Sequence, residues 1–191
     1  DAAAERAGET GGAAREGGGA LPWDLAELLL LRLDRLDDAT RAVVRAASVA
    51  GRRVSHELLA EVAAVERSEL DDSLRAAVDE HVLVSSGTSG YRFRHALLAE
   101  AVYDDLLPGE RVRLHAAFAK ALLDGTADGA AAELARHALA AHDLPTALSA
   151  SIRAGDEAMA VGGPDEATHH YETAMELGCD APVERRVDVA E

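Results

Sequence analysis

Tyr91 to Leu123 reads YRFRHALLAEAVYDDLLPGERVRLHAAFAKALL. Its first residues alternate, placing Tyr91 and Phe93 on one face of a short strand. After Arg94-His95 the period changes, and Leu98, Ala101, Val102 and Leu106 recur at helical spacing. Pro108-Gly109 ends that helix. A second amphipathic helix follows at once, with Leu114, Ala117, Phe118, Ala121 and Leu122 on one stripe. Strand, abrupt turn at a histidine, helix, short break and helix make up the order around which the remaining segments are placed.

Working back from Tyr91, Val82–Val84 and Tyr91–Phe93 are β-type runs separated by SSGTSG, which reads as a hairpin. Before it come four helical patterns. Leu21-Pro22-Trp23-Asp24 opens the first, with Leu25, Leu28, Leu29, Leu33 and Leu36 on its buried face. Asp37-Asp38 starts the second, which runs to about Ala50 with Val43, Ala46, Ala47 and Ala50 inward and Gly51 as its stop. Ser55 caps a short third, with Leu58, Leu59, Val62 and Val65 apolar. Ser68 and Asp71 form a capping pair for the fourth, whose apolar side carries Leu70, Leu74, Ala77, Val78 and His81. Residues 1–20 are Ala, Gly and charge without apolar periodicity, and read as a flexible linker.

Working forward, residues 124–129 are a Gly/Asp-rich break, and the rest is helical at about 130–141, 144–161 and 164–177, with another start near Val183. Ala154-Gly155 and Ala158, then Ala167, Tyr171 and Ala174, follow the small-residue skeleton of a tetratricopeptide repeat. Ala147 precedes Ala167 by 20 residues rather than 34, so the array is irregular. The fold expected is mainly α: a winged-helix domain over 21–123, made of helices and one short β-hairpin, then an α-superhelical, tetratricopeptide-like array starting at 124.

Composition narrows the function. Aromatic residues are only 3% of the chain, so its cores are built from Leu, Val and Ala, which favours close helix packing. Cys179 is the single cysteine, no secretory signal pattern opens the chain and no apolar run is long enough to cross a bilayer. A cytoplasmic protein is expected. The net charge of −16 is uneven: residues 1–21 carry −2, residues 22–123 carry −4 and residues 124–191 carry −10. Such a chain is poorly suited to phosphate neutralisation on DNA. The fourth helix makes this sharper, since Glu69, Asp71, Asp72, Asp79 and Glu80 face Arg75 alone. The basic run Arg32, Arg35, Arg41, Arg45, Arg52 and Arg53 is interspersed with acids and is expected to face an acidic protein surface.

The order of segments around Phe93-Arg94-His95-Ala96-Leu97-Leu98 resembles the end of the winged helix and the start of the helical sensor in bacterial STAND-type regulatory ATPases, the large ATP-binding LuxR-type transcription activators. The resemblance extends from about Leu21 to the C-terminus. It implies that an ATPase domain lies upstream in the same chain and a DNA-reading helix-turn-helix downstream. It also implies that ATP or ADP is the parent protein's cofactor, and that a small-molecule or protein inducer binds the helical array. His95, by its place at the end of the hairpin, is implied to reach the β-phosphate of ADP, with Arg94 as a second phosphate contact. A helix N-terminus suits such an anion contact.

No catalytic or metal-binding set is expected in the chain itself. The only lysine is Lys120, so G-x-x-x-x-G-K-[ST] is absent. His137 and His142 are five apart, His169-His170 are adjacent, and Cys179 has no CxxC partner. His56-Glu57 lacks the second histidine of a zincin. The alternatives are a stand-alone interaction adaptor made of helical repeats, the same relay module in a nucleotide-cyclase or kinase multidomain protein, and a small DNA-binding repressor. Tyr171 is either the lining of a ligand groove or a knob between helices.

Overall fold

The computed structural model describes residues 31, 33–125 and 130–180. The linker over 1–20, the helix opening at Leu21-Pro22 with Leu25, Leu28 and Leu29, Arg32, and the helical start near Val183 lie outside the described residues. Of that first helix, Leu33 and Leu36 are buried, and Leu33–Arg35 form a single 3-10 turn.

The described chain is mainly helical, with a small three-stranded sheet. Helix α1 spans Asp38–Ala50. The Asp37 side chain accepts from the Thr40 amide at 2.7 Å, which holds the Asp37 carboxyl below its ordinary range. Gly51 ends the helix at φ +99°, a conformation open to glycine. Strand β1, Val54–Ser55, was not foreseen, because two residues carry no readable alternation. Helix α2, His56–Val62, is capped by the Ser55 hydroxyl, which accepts from the Leu58 amide at 3.1 Å.

Helix α3 spans Arg67–Asp79 and corrects the expected capping pair: Glu66 holds the cap position, while Ser68 and Asp71 lie inside the helix. His81 is also not on the apolar side. It sits exposed at φ +59°, where the Val82 amide donates back to the Ala77 carbonyl and closes the helix end. The same closure recurs at His142 (φ +60°) and Gly162 (φ +77°).

Strands β2, Leu83–Ser86, and β3, Gly90–Phe93, form the hairpin one or two residues from its expected limits. The sheet order is β1-β3-β2, antiparallel throughout, with Val54 opposite Tyr91 and Leu83 opposite Phe93. Arg53 straps its edge by donating to the Ser86 carbonyl at 2.8 Å. Helix α4 is Ala96–Asp105 and helix α5 is Pro108–Leu123, so Pro108-Gly109 begins a helix as well as following one. The Glu110 carboxylate accepts from the Leu107 amide at 2.9 Å and fixes that start.

One core joins α1 to α5 with the sheet. It holds Val43, Val44, Leu59, Leu70, Leu83, Leu98 and Phe118. Phe118 is on α5, and the next residue, Ala119, belongs to a second core with Leu134, Ala135, Ala138, Ala147 and Ala150. Helix α5 is therefore a wall shared by both. The second core is supplied by α6, Ala131–Ala140, and α7, Leu144–Ala160, while α8, Pro164–Asp180, packs on α7. No helix among the described residues is long and apolar enough to cross a membrane.

Tyr171 is a knob. A Cβ built on Gly155 would lie 2.4 Å from its ring, and its hydroxyl donates to Asp156 at 2.7 Å. Propensity alone would make Gly155→Ala stabilising by about 1 kcal/mol. We expect instead a loss of roughly 1–3 kcal/mol by overpacking. In a Tyr171→Ala background the same change should be neutral or stabilising, a reversal that urea denaturation of the four variants measures.

Candidate functional site

The two residues singled out for anion contact come out side by side. Arg94 and His95 lie at the corner between β3 and α4, both exposed. The corner is fixed from behind by the backbone: the Arg94 amide donates to the Val82 carbonyl at 3.0 Å, and the His95 carbonyl accepts from Leu98 at 3.1 Å. His95 is the N-cap residue of α4 in extended conformation, and its side chain forms no cap hydrogen bond. An exposed imidazole and guanidinium thus flank a helix start whose first amides lack intrahelical acceptors. That arrangement can contact an anion.

Three arginines of the basic run, Arg41, Arg45 and Arg53, have partners within the fold. Arg41 pairs with Asp38, Arg45 lies 3.7 Å from Asp105 and 4.0 Å from Glu110, and Arg53 is used on the hairpin. These arginines find their acids and carbonyls within the fold. The exposed face of α3 retains the acidic side chains noted above, with Arg75 paired to Asp72 at 2.8 Å.

A second polar cluster, missed by sequence reasoning, lies where α6 meets the first core. Tyr103 on α4, His115 on α5 and His137 on α6 form a chain of contacts: Tyr103 hydroxyl to His115 Nε2 at 3.2 Å, then His115 Nδ1 to His137 Nδ1 at 3.0 Å. His137 is fully buried and His115 nearly so. The His137 ring stacks on Phe118 with centroids 4.6 Å apart. At its far edge Arg136 Nη2 lies 2.8 Å from His137 Nε2, and the same guanidinium donates to the carbonyls of Ala50 at 2.8 Å and Val49 at 3.3 Å.

This geometry determines where the protons are. A guanidinium has donors and no acceptor, so His137 Nε2 must accept. A neutral His137 then carries its proton on Nδ1 and donates to His115 Nδ1. His115 in turn carries its proton on Nε2 and donates to the Tyr103 oxygen. Every bond in the chain runs in one direction, outward from Arg136. Burial is the first cause holding both imidazoles neutral, and the Arg136 charge adds to it: His115 is lowered to about 4 and His137 to about 2. Nearby, burial pushes the Glu133 carboxyl up.

The signal for this cluster was present in part. His115 lies on the stripe of Leu114 and Phe118, and His137 lies between Leu134 and Ala138, so each histidine occupies an inward position. Spacing within one helix could not reveal that the two meet across helices. No group of three or more His, Cys, Asp or Glu among the described residues is placed to hold a metal ion.

Compared with protein-family models, curated proteins and solved structures, the chain matches none.

The neutral relay makes stability fall with acidity in a defined window. Both histidines titrate at about 6.5 when unfolded and lower when folded, so the unfolded chain binds more protons. Their contribution is complete above pH 6.5 and declines as pH falls towards about 4, where His115 takes its proton in the folded state. Urea midpoints should drop across that range in the native chain and less steeply in His115→Phe. Imidazole ¹⁵N shifts should report Nδ1–H at His137 and Nε2–H at His115 at pH 7. The reverse pair of tautomers would contradict the assignment.

Proposed function

We propose that this chain is the relay and first sensor segment of a signal-responsive ATP-binding transcription regulator: a winged-helix domain that docks on an upstream ATPase domain, followed by a tetratricopeptide-like array that receives an inducer. The array's state passes through the junction to the docked face, and inducer binding releases the ATPase. The chain's own role is non-catalytic.

The observation that carries this reading is the corner at Arg94-His95, where two exposed side chains flank free helix amides at the end of the hairpin. It is a suitable place to hold the phosphates of ADP from outside the nucleotide's own binding domain. The order α1-β1-α2-α3-β2-β3 with sheet order β1-β3-β2 supports the winged-helix part. Successive helices packed through Ala154, Gly155, Ala158, Ala167 and Ala174 support the repeat-like part. The acidic face of α3 disfavours duplex DNA as the partner of this module, because its carboxylates would meet phosphates.

A charge-assisted contact from His95 contributes about 1.5–3 kcal/mol, whereas full inversion of a two-state switch needs about 5.5 kcal/mol. His95 therefore shares the task with domain packing. In the full-length gene product, His95→Ala should lower the fraction of protein that co-purifies with ADP and raise activity without inducer by roughly tenfold or more. Nucleotide content by chromatography and a reporter assay check both. If neither changes, the relay reading fails.

A further inference from the structure

The buried histidine relay does more than fill a junction: it seats a single guanidinium on the end of another domain's helix. The carbonyls of Val49 and Ala50 belong to the last turn of α1, where helix acceptors have no intrahelical donor. Arg136 supplies those donors from α6. Its own direction is set by the His137 acceptor, which stays an acceptor only while the relay remains neutral.

From Ala50 the consequences run along the chain. Gly51, turned at φ +99°, lies against the Arg136 guanidinium, 3.6 Å from where its Cβ would stand. Two residues later Arg53 reaches across the hairpin to the Ser86 carbonyl. The next residue, Val54, opens β1 and pairs with Tyr91 on β3, and the His56 amide donates to the Ser89 carbonyl at 2.8 Å. Strand β3 then ends at Phe93, directly before Arg94-His95. Only three residues separate the clamped helix end from the sheet.

The geometry points to Arg136 as a latch that couples the position of the α6–α8 array to the order of the β1–β3 sheet, and through β3 to the Arg94-His95 corner. With Arg136 in place, the end of α1 and the Gly51 turn are held, and β1 is registered against β3. When α6 shifts or rotates, the guanidinium leaves Val49 and Ala50 together, the last turn of α1 loses its donors and the sheet edge loosens. Arg136 is a positioning residue, since it touches neither the hairpin nor the corner. This inference deepens the relay reading and rests on it for its purpose, although its test involves no nucleotide.

Amide hydrogen exchange by mass spectrometry on the 191-residue chain makes the test. In Arg136→Met, which keeps the apolar stem and removes the guanidinium, peptides covering 51–56 and 83–93 should exchange about tenfold faster. Peptides within α7 and α8 should rise only by the factor that the variant's loss of global stability, measured in urea, accounts for. Arg136→Lys, able to reach one acceptor but not three, should fall between the two. Native rates in the hairpin of Arg136→Met would overturn the latch, as would a uniform rise that includes α7 and α8. If Arg136→Met does not fold, Arg136→Lys carries the same outcomes: a rise in the hairpin beyond that factor supports the latch, and native or uniformly raised rates overturn it. A failed latch leaves His95's nucleotide contact standing, and unchanged ADP retention in His95→Ala leaves the latch standing.

Discussion

The contact on which the rest depends is the Arg136 guanidinium, held between the last carbonyls of α1 and the Nε2 of a buried His137. A charge at the edge of a core is costly unless each of its donors has a partner. Here three acceptors converge on it, two from a helix end that needs donors and one from a neutral imidazole. The arrangement satisfies two groups of buried polar atoms at once. It also removes freedom from both imidazoles, since one fixed donor determines both tautomers. Removing Arg136 or either histidine leaves a buried imidazole nitrogen without its partner, so these side chains are coupled.

Around this contact the fold is assembled from unlike materials. The first core uses Leu and Val with Phe118 at its border, and the second uses mainly Ala with Leu134. Small side chains let α6, α7 and α8 approach closely but bury little apolar area per residue. The array consequently depends on α5, which donates Ala119 to it while giving Phe118 to the first core. His115 lies on the same helix. A displacement of the array must therefore disturb either this shared wall or the polar seam beside it.

Much of this was legible in the residues. Helices α1, α2, α4 and α5 follow from their apolar periods and from caps at Asp37, Ser55 and Gly51. Val82 to Phe93 announced a hairpin. Strand β1 was not legible, because a two-residue strand exists only through its partner. His81 was misplaced because a helix end that closes through a left-handed residue continues the apolar period one position too far. The site divides in the same manner. Arg94 and His95 were singled out through the resemblance of their surroundings, and the structure adds that both are exposed at the corner between β3 and α4. Tyr103, His115 and His137 could not be singled out, because their meeting is a property of three helices, and Arg136 gave no sign that its two carbonyl acceptors lay 86 and 87 residues away.

The central claim is that this polar seam makes the sheet-bearing unit and the helical array one cooperative body. Differential scanning calorimetry of the 191-residue chain at pH 7 tests it most directly. The account predicts a single transition whose calorimetric and van't Hoff enthalpies agree, a ratio of about one. Two resolved transitions at that pH, one for each core, would contradict it.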